Sequence, residues 1–202
     1  MVNNKCYFLK SVDNIEDIAF ACPERDDYLG HRIASEISEL DKLPFELILK
    51  KMVLENGVLK QMNDLSKVKS IWVDYQPNTL AWPIMSERMM KLFSSHLTGK
   101  EEIDWVGCKI FDGSIYMEYY ILRFTKQLDV IDPTKTIYVD GTDHIIRPFF
   151  SATKVNDFSV FHKPQANGLW RIPSAIYINE MLHDDLITNQ ITGVDFELVK
   201  LY

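Results

Sequence analysis

Two stretches of this chain share one order of apolar and polar positions. In the first, Trp82-Pro83-Ile84-Met85 leads to Ser86, and Met89, Phe93 and Leu97 continue a four-residue recurrence begun at Met85. Met90 and Leu92 widen the stripe, while Glu87, Arg88, Lys91 and Ser95 face away. That spacing predicts a strand followed by an amphipathic helix of about three turns. Ser86 is placed to cap it, because a serine hydroxyl there accepts from an otherwise unpaired first-turn amide. Gly99 is placed to close it at the C′ position, and a strand over 103–110 follows. In the second stretch, Trp170-Arg171-Ile172 leads to Pro173 and Ser174, which predict a helix start, with Ile178, Met181, Leu182 and Leu186 as its apolar stripe. The chain then closes on 194–199, whose alternation reads as a strand.

Ser86 and Ser174 stand 88 positions apart, as do Ile103 and Ile191, and Val106 and Val194. The pattern predicts an α+β fold: two related strand-helix-strand units, about residues 80–110 and 168–199, sharing a largely antiparallel, strand-rich sheet. No linker, low-complexity tract or charge block interrupts the chain, so residues 1–202 are expected to form one domain.

The remaining positions are mostly strand-like. Residues 6–9 form a short apolar run, expected as an edge strand; 13–29 are polar and mixed, with Pro23 and Gly30 as breakers, and read mostly as loop; 33–40 are too polar to assign. Residues 43–49 fit a strand preceded by a turn, and Asn56-Gly57 within 53–59 favours a type I′ hairpin. Residues 71–75 are β-branched and aromatic, up to Pro77. The continuous apolarity of 115–124 predicts burial on both faces, and 127–131 are expected to continue the sheet until Asp132-Pro133 breaks it. Residues 136–140 and 144–147 flank Gly141-Thr142-Asp143 as a hairpin, and 158–161 read as a further strand.

Composition narrows the class. A chain of 202 residues, 47% hydrophobic and 25% charged, is that of an ordinary globular protein. At this length about 70% of the unfolded surface is buried on folding, so a core needs neither disulfide nor metal. The net charge of −7 disfavours nucleic acid, whose phosphates would be repelled, and suits a basic protein partner. Cys6, Cys22 and Cys108 are an odd, scattered set with no C-x-x-C, which argues against a disulfide framework and for a reducing compartment. Lys10, Asp13, Glu16 and Asp17 interrupt any secretory apolar stretch at the N-terminus, and no run approaches the roughly 20 apolar residues of a membrane span. The expected location is the cytoplasm.

Candidate chemistry is thin. Among His31, His96, His144, His162 and His183 no two stand at i, i+4, so the zinc-protease pattern is absent. His183-Asp184-Asp185 resembles the His-Asp pair of metal phosphohydrolases, but that site needs upstream His ligands and a later Asp in a helical fold; the solvent face of the second helix accounts for these residues. Asp140-Gly141-Thr142-Asp143-His144 lacks the alternating carboxylates and terminal Glu of a calcium loop and reads as a hairpin tip. Ser114 has no nucleophile elbow, and no phosphate-binding glycine loop occurs. Cys108 reads as a small buried residue. Nothing positive supports a Cys6 or Cys22 nucleophile, and Trp72, Trp82, Trp105 and Trp170 read as packing residues rather than a ligand box. No catalytic, cofactor-binding or metal-binding residue is predicted. The acidic positions Glu101, Glu102 and Asp104 after the first helix, and Asp184 and Asp185 on the second, are either solvated surface or a patch that meets a basic partner.

The motifs in order point to a family. Leu43-Pro44-Phe45-Glu46-Leu47, Ile84-Met85-Ser86-Glu87-Arg88-Met89, Tyr119-Tyr120-Ile121-Leu122, Gln127-Leu128-Asp129-Val130-Ile131-Asp132, Asp157-Phe158-Ser159-Val160-Phe161, Ile172-Pro173-Ser174 and Thr192-Gly193-Val194-Asp195-Phe196 together resemble the Imm11 family of immunity proteins, over most of the chain and most weakly before Leu43. Ser174-Ala175 departs from the Ser-Glu that members often repeat at the second helix. The resemblance implies a non-enzymatic protein of a bacterial polymorphic toxin or interbacterial competition system, such as one delivered by type VI secretion. It would bind its cognate toxin domain in the cytoplasm and hold it inactive. Frequent association of the family with nuclease toxins makes a basic nuclease the expected partner. Two other classes stay open on the residues alone: a small enzyme using His144, His162 or His183, and a structural or adaptor subunit.

Overall fold

The computed structural model describes residues 5–12, 17–24, 33, 37, 40–165 and 168–202. Among them lie twelve strands in three sheets and three short helices, a mixed α+β arrangement in which nearly all strand pairs are antiparallel. His31 and most of 33–40 fall outside the described residues, although Ile33 and Ile37 are buried.

The first sheet runs β10 (Val160–His162), β11 (Ile176–Asn179), β1 (Cys6–Ser11), β12 (Val194–Val199). β1 is an interior strand, not an edge: Cys6 lies opposite Asn179 on one side and Val199 on the other. Local sequence could not show this, because both partners come from the far end of the chain. The second sheet runs β2 (Phe20–Pro23), β3 (Leu47–Glu55), β6 (Ile103–Phe111), β7 (Tyr116–Phe124), β5 (Ile84–Ser86), with β4 (Val58–Met62) hairpinned onto β3. β2 occupies part of a stretch expected as loop. It pairs with β3, which buries Ala21 and Cys22. The expected Asn-Gly turn joins β3 to β4, with φ of 51° at Asn56 and 78° at Gly57, the left-handed pair a type I′ turn requires. The third sheet is the predicted hairpin, β8 (Ile137–Tyr138) with β9 (Ile145–Arg147).

The first helix, α1 (Glu87–His96), starts where expected: Ser86 is its N-cap, and the hydroxyl accepts from Met89 N at 3.2 Å. Its C-cap is Leu97, so C′ is Thr98, and Gly99, at φ 83°, falls one residue beyond the C′ position expected for it. After a single-turn α2 (Ala152–Val155) comes α3 (Glu180–Thr188). Here the expectation is corrected: the N-cap is Asn179, whose side chain accepts from Leu182 N at 2.9 Å, and Ser174 lies five positions earlier, before β11. Ile178 belongs to the strand, Met181 is 70% exposed, and Leu182 and Leu186 alone bury the helix. The 88-residue offset therefore aligns a helix cap with a pre-strand serine. The two stretches also do not share a sheet: β5 and β6 belong to the second, β11 and β12 to the first.

Two cores result. One packs α1 and α3 against the first sheet through Met89, Phe93, Leu182, Leu186, Ile176 and Ile178. The other lies across the second sheet, with Leu47, Leu49, Val106, Ile110 and Ile121. β7 feeds both, since side chains alternate across a strand: Leu122 and Phe124 point to the first, Tyr119 and Ile121 to the second. That explains its apolar run over 119–122. The expectation of two-sided burial fails over Tyr116, Met117 and Glu118, which are exposed. Residues 71–75 and 127–131 do not form strands; isolated bridges tie Tyr75 to Met85 and Ile131 to Phe150. Among the described residues no helix is long and apolar enough to cross a membrane.

Candidate functional site

The motifs noted in the sequence converge on a residue that none of them contains. Asp74, in the irregular segment before β5, accepts hydrogen bonds at one oxygen from Ser86 Oγ (2.7 Å) and Arg88 Nε (3.1 Å). Its other oxygen accepts from Arg88 Nη2 (2.5 Å), Thr192 N (2.9 Å) and Thr192 Oγ1 (2.8 Å). Arg88 also donates to Asn189 O and Gln190 O, the free carbonyls at the end of α3, where a cation is favourable. Thr192 and Gly193 seat the β12 end of this knot. A Cβ on Gly193 would lie 2.5 Å from Tyr75 O, and its φ of 80° is left-handed. Burial alone would raise the Asp74 carboxyl; the bonds from Arg88, Thr192 and Ser86 outweigh it and hold it at about 2. Ser86, Arg88, Thr192 and Gly193 are thus a lock between the two sheets. Each of them has an internal partner.

The predicted acidic positions scatter into different roles. Glu101 is a correction: it is fully buried, and its carboxylate accepts from Thr98 N, Thr98 Oγ1 and Ser159 N at 2.9, 2.8 and 2.7 Å. It clamps the turn after α1 to the start of β10 and has no surface to offer a partner. Glu102 is exposed, with Lys126 at 3.4 Å. Asp104 is part-exposed and receives a two-pronged bond from Arg123 (2.7 Å at both nitrogens), whose buried guanidinium also donates to Ile37 O and Leu40 O. On α3, Asp184 is exposed beside His183 Nδ1 (2.8 Å), and Asp185 lies 2.7 Å from His96 Nε2 across the α1–α3 interface. Four of the five carboxylates therefore reach the surface.

The histidines named as enzyme candidates sit in separate settings. His162 is fully buried between Phe124 and Trp170. Its Nδ1 donates to Lys163 O, which leaves Nε2 to accept from Leu128 N. His183 stacks on Tyr7 at 3.8 Å, and His144 is exposed on the β8–β9 hairpin. The described residues contain no group of three or more His, Cys, Asp or Glu side chains that could hold a metal ion. Cys6, Cys22 and Cys108 are buried; burial pushes the thiols of Cys6 and Cys108 up to about 11 and about 12. Trp82 is buried, Trp105 meets Phe93 edge-on, and Trp72 stacks on Tyr119, so the tryptophans share no box.

At the surface lies a shallow groove of about 610 Å³ on the α1 face of β6 and β7, walled by the 41–46 segment and by Met90 of α1. Sequence reasoning missed it, because its walls come from four separate stretches of chain. Residues 58–200 match the model of the immunity protein family Imm11. The match leaves out the 43–47 motif and includes Asp74 and all of its partners. No curated protein matches the chain.

Proposed function

The chain belongs to the Imm11 immunity protein family, and from that premise we propose that it neutralises a nuclease toxin by occupying the toxin's basic cleft in the cytoplasm of the producing cell. Membership makes it an immunity protein of a polymorphic toxin system, of a class that binds cognate toxins and is typically not enzymatic. The nuclease identity, the cytoplasmic setting and delivery by a contact-dependent route such as type VI secretion are the finer part of the proposal. One observation carries it, the family match over residues 58–200. The net charge of −7 supports the electrostatic part, since a nuclease cleft is electropositive to hold phosphates and a negative surface speeds encounter with it.

Glu102, Asp104, Asp184 and Asp185 are the carboxylates proposed to steer that encounter; Glu101, being buried, is not among them. Each has a cationic or imidazole neighbour, so their role is in the long-range field rather than in tight contact. The test is stopped-flow association of the full chain with its cognate toxin domain, across a salt series. Changing Glu102, Asp184 and Asp185 together to the neutral amides lowers the association rate about 10-fold at low salt and flattens its salt dependence. Asp104 is left intact because Arg123 depends on it. Identical rates and slopes for the triple variant and the parent chain would remove the steering role.

A further inference from the structure

We propose that the groove floored by Gly107 is the anchoring socket for the toxin, taking an apolar side chain of the toxin domain that stands next to a basic one. This rests on the immunity reading and names the surface that serves it.

Gly107 lies in the middle of a nine-residue strand, where glycine weakens the strand unless something must approach closely. Nothing in the fold demands it. Its φ is not left-handed. An added Cβ would meet only Lys42 Cγ at 3.6 Å and Asp41 O at 3.7 Å, both ordinary contacts. The missing side chain would project on the α1 face of the sheet, the side of Tyr120, its cross-strand neighbour, and of Trp105. The absent Cβ is what makes the floor of the groove. Phe45, Met90, Trp105 and Tyr120, all half-buried, form the apolar walls. A cleft of this size, apolar inside with a few polar groups at its rim, is the usual form of a binding site.

The rim gives the charge. Asp41, Glu46 and Glu118 line it with Lys42 and Lys109, an excess of one carboxylate. Asp41 and Glu118 are exposed. This local excess has the sign of the chain's net charge of −7, and fits a basic residue beside the inserted apolar one. Tyr116, 53% exposed and on the same strand face as Glu118, extends the apolar surface past the rim. Apolar anchors that lose their water on binding are where binding energy concentrates at protein interfaces.

The experiment uses the full chain and its cognate toxin domain, with titration calorimetry for affinity, thermal melts for folding and sedimentation for self-association. Gly107→Val fills the socket and Glu118→Lys reverses its rim. The socket predicts at least about 30-fold weaker binding for Gly107→Val and about 10-fold for Glu118→Lys, with melts close to the parent. If Gly107→Val loses its thermal transition, Gly107→Ala and the exposed Glu118→Lys decide instead. Parent-like affinity in the folded variants overturns the socket while leaving the immunity reading in place. So does a change in self-association with toxin affinity intact, since the groove would then seat a second copy. Absence of binding by the parent chain overturns both.

Discussion

Asp74 collects five hydrogen bonds on one carboxylate, and every donor lies at least 12 positions away in sequence. Removing it strands Ser86, Thr192 and one side of Arg88 together. Asp74→Ala is expected to cost about 2–4 kcal/mol, read as a lower urea midpoint at unchanged slope. The pH dependence has a fixed sign. The folded carboxyl, at about 2, lies below its ordinary value of 3.8. Its contribution is therefore whole above pH 3.8 and disappears as pH falls through about 2. The shift corresponds to about 2 kcal/mol, and Asp74→Asn should flatten that part of the acid limb. His162 acts in a higher window. Burial lowers its pKa from 6.5 against the pull of backbone carbonyls, so below pH 6.5 the unfolded chain takes up a proton the folded chain refuses. Stability should fall with acidification from that point, and His162→Phe should remove that slope. The thiols of Cys6 and Cys108, raised by burial, should resist alkylation until the chain unfolds, since the thiolate is the reactive form.

The elements explain what could be read from sequence and what could not. The α1 start was legible because a cap is a local bond: Ser86 and Met89 are three residues apart. The Asn56-Gly57 hairpin was legible for the same reason. The α3 start was missed because serine at 174 was matched to serine at 86. Asparagine caps as well as serine, and Asn179 holds the position. Asn179→Ala should cost about 1 kcal/mol, whereas Ser174→Ala should leave α3 untouched in amide exchange. The interior place of β1 rests on pairings across most of the chain, which no local pattern encodes. The same distance hid Glu101: its partner Ser159 is 58 positions away, so an inward clamp looked like an acidic loop. Gly193 shows the reverse case. A glycine in the 192–196 motif looked like family signature, and its reason is the approach of Tyr75 O. Gly193→Ala should destabilise by at least about 2 kcal/mol while leaving the surface groove intact.

At the scale of the molecule, the proposed binding surface overlaps the family motifs only in part: Phe45, Glu46 and Tyr120 belong to them, while Gly107, Glu118, Glu102, Asp184 and Asp185 do not. Ser86, Arg88, Thr192 and Gly193 tie the two sheets together around Asp74, with Arg88 and Thr192 themselves exposed. The groove over Gly107 and the carboxylates of Glu102, Asp184 and Asp185 lie outside. An immunity protein must keep its fold while its contacts follow one particular toxin, and the positions outside the motifs leave room for that. The same fold can then carry different rims and sockets. The central claim is that this chain protects by binding, and the most direct measurement is growth of cells co-expressing it with its cognate toxin domain, followed by purification of the pair. The account predicts that growth is restored and that the two chains elute as one complex. Cells that still die, with the toxin domain recovered free of this chain, would contradict it.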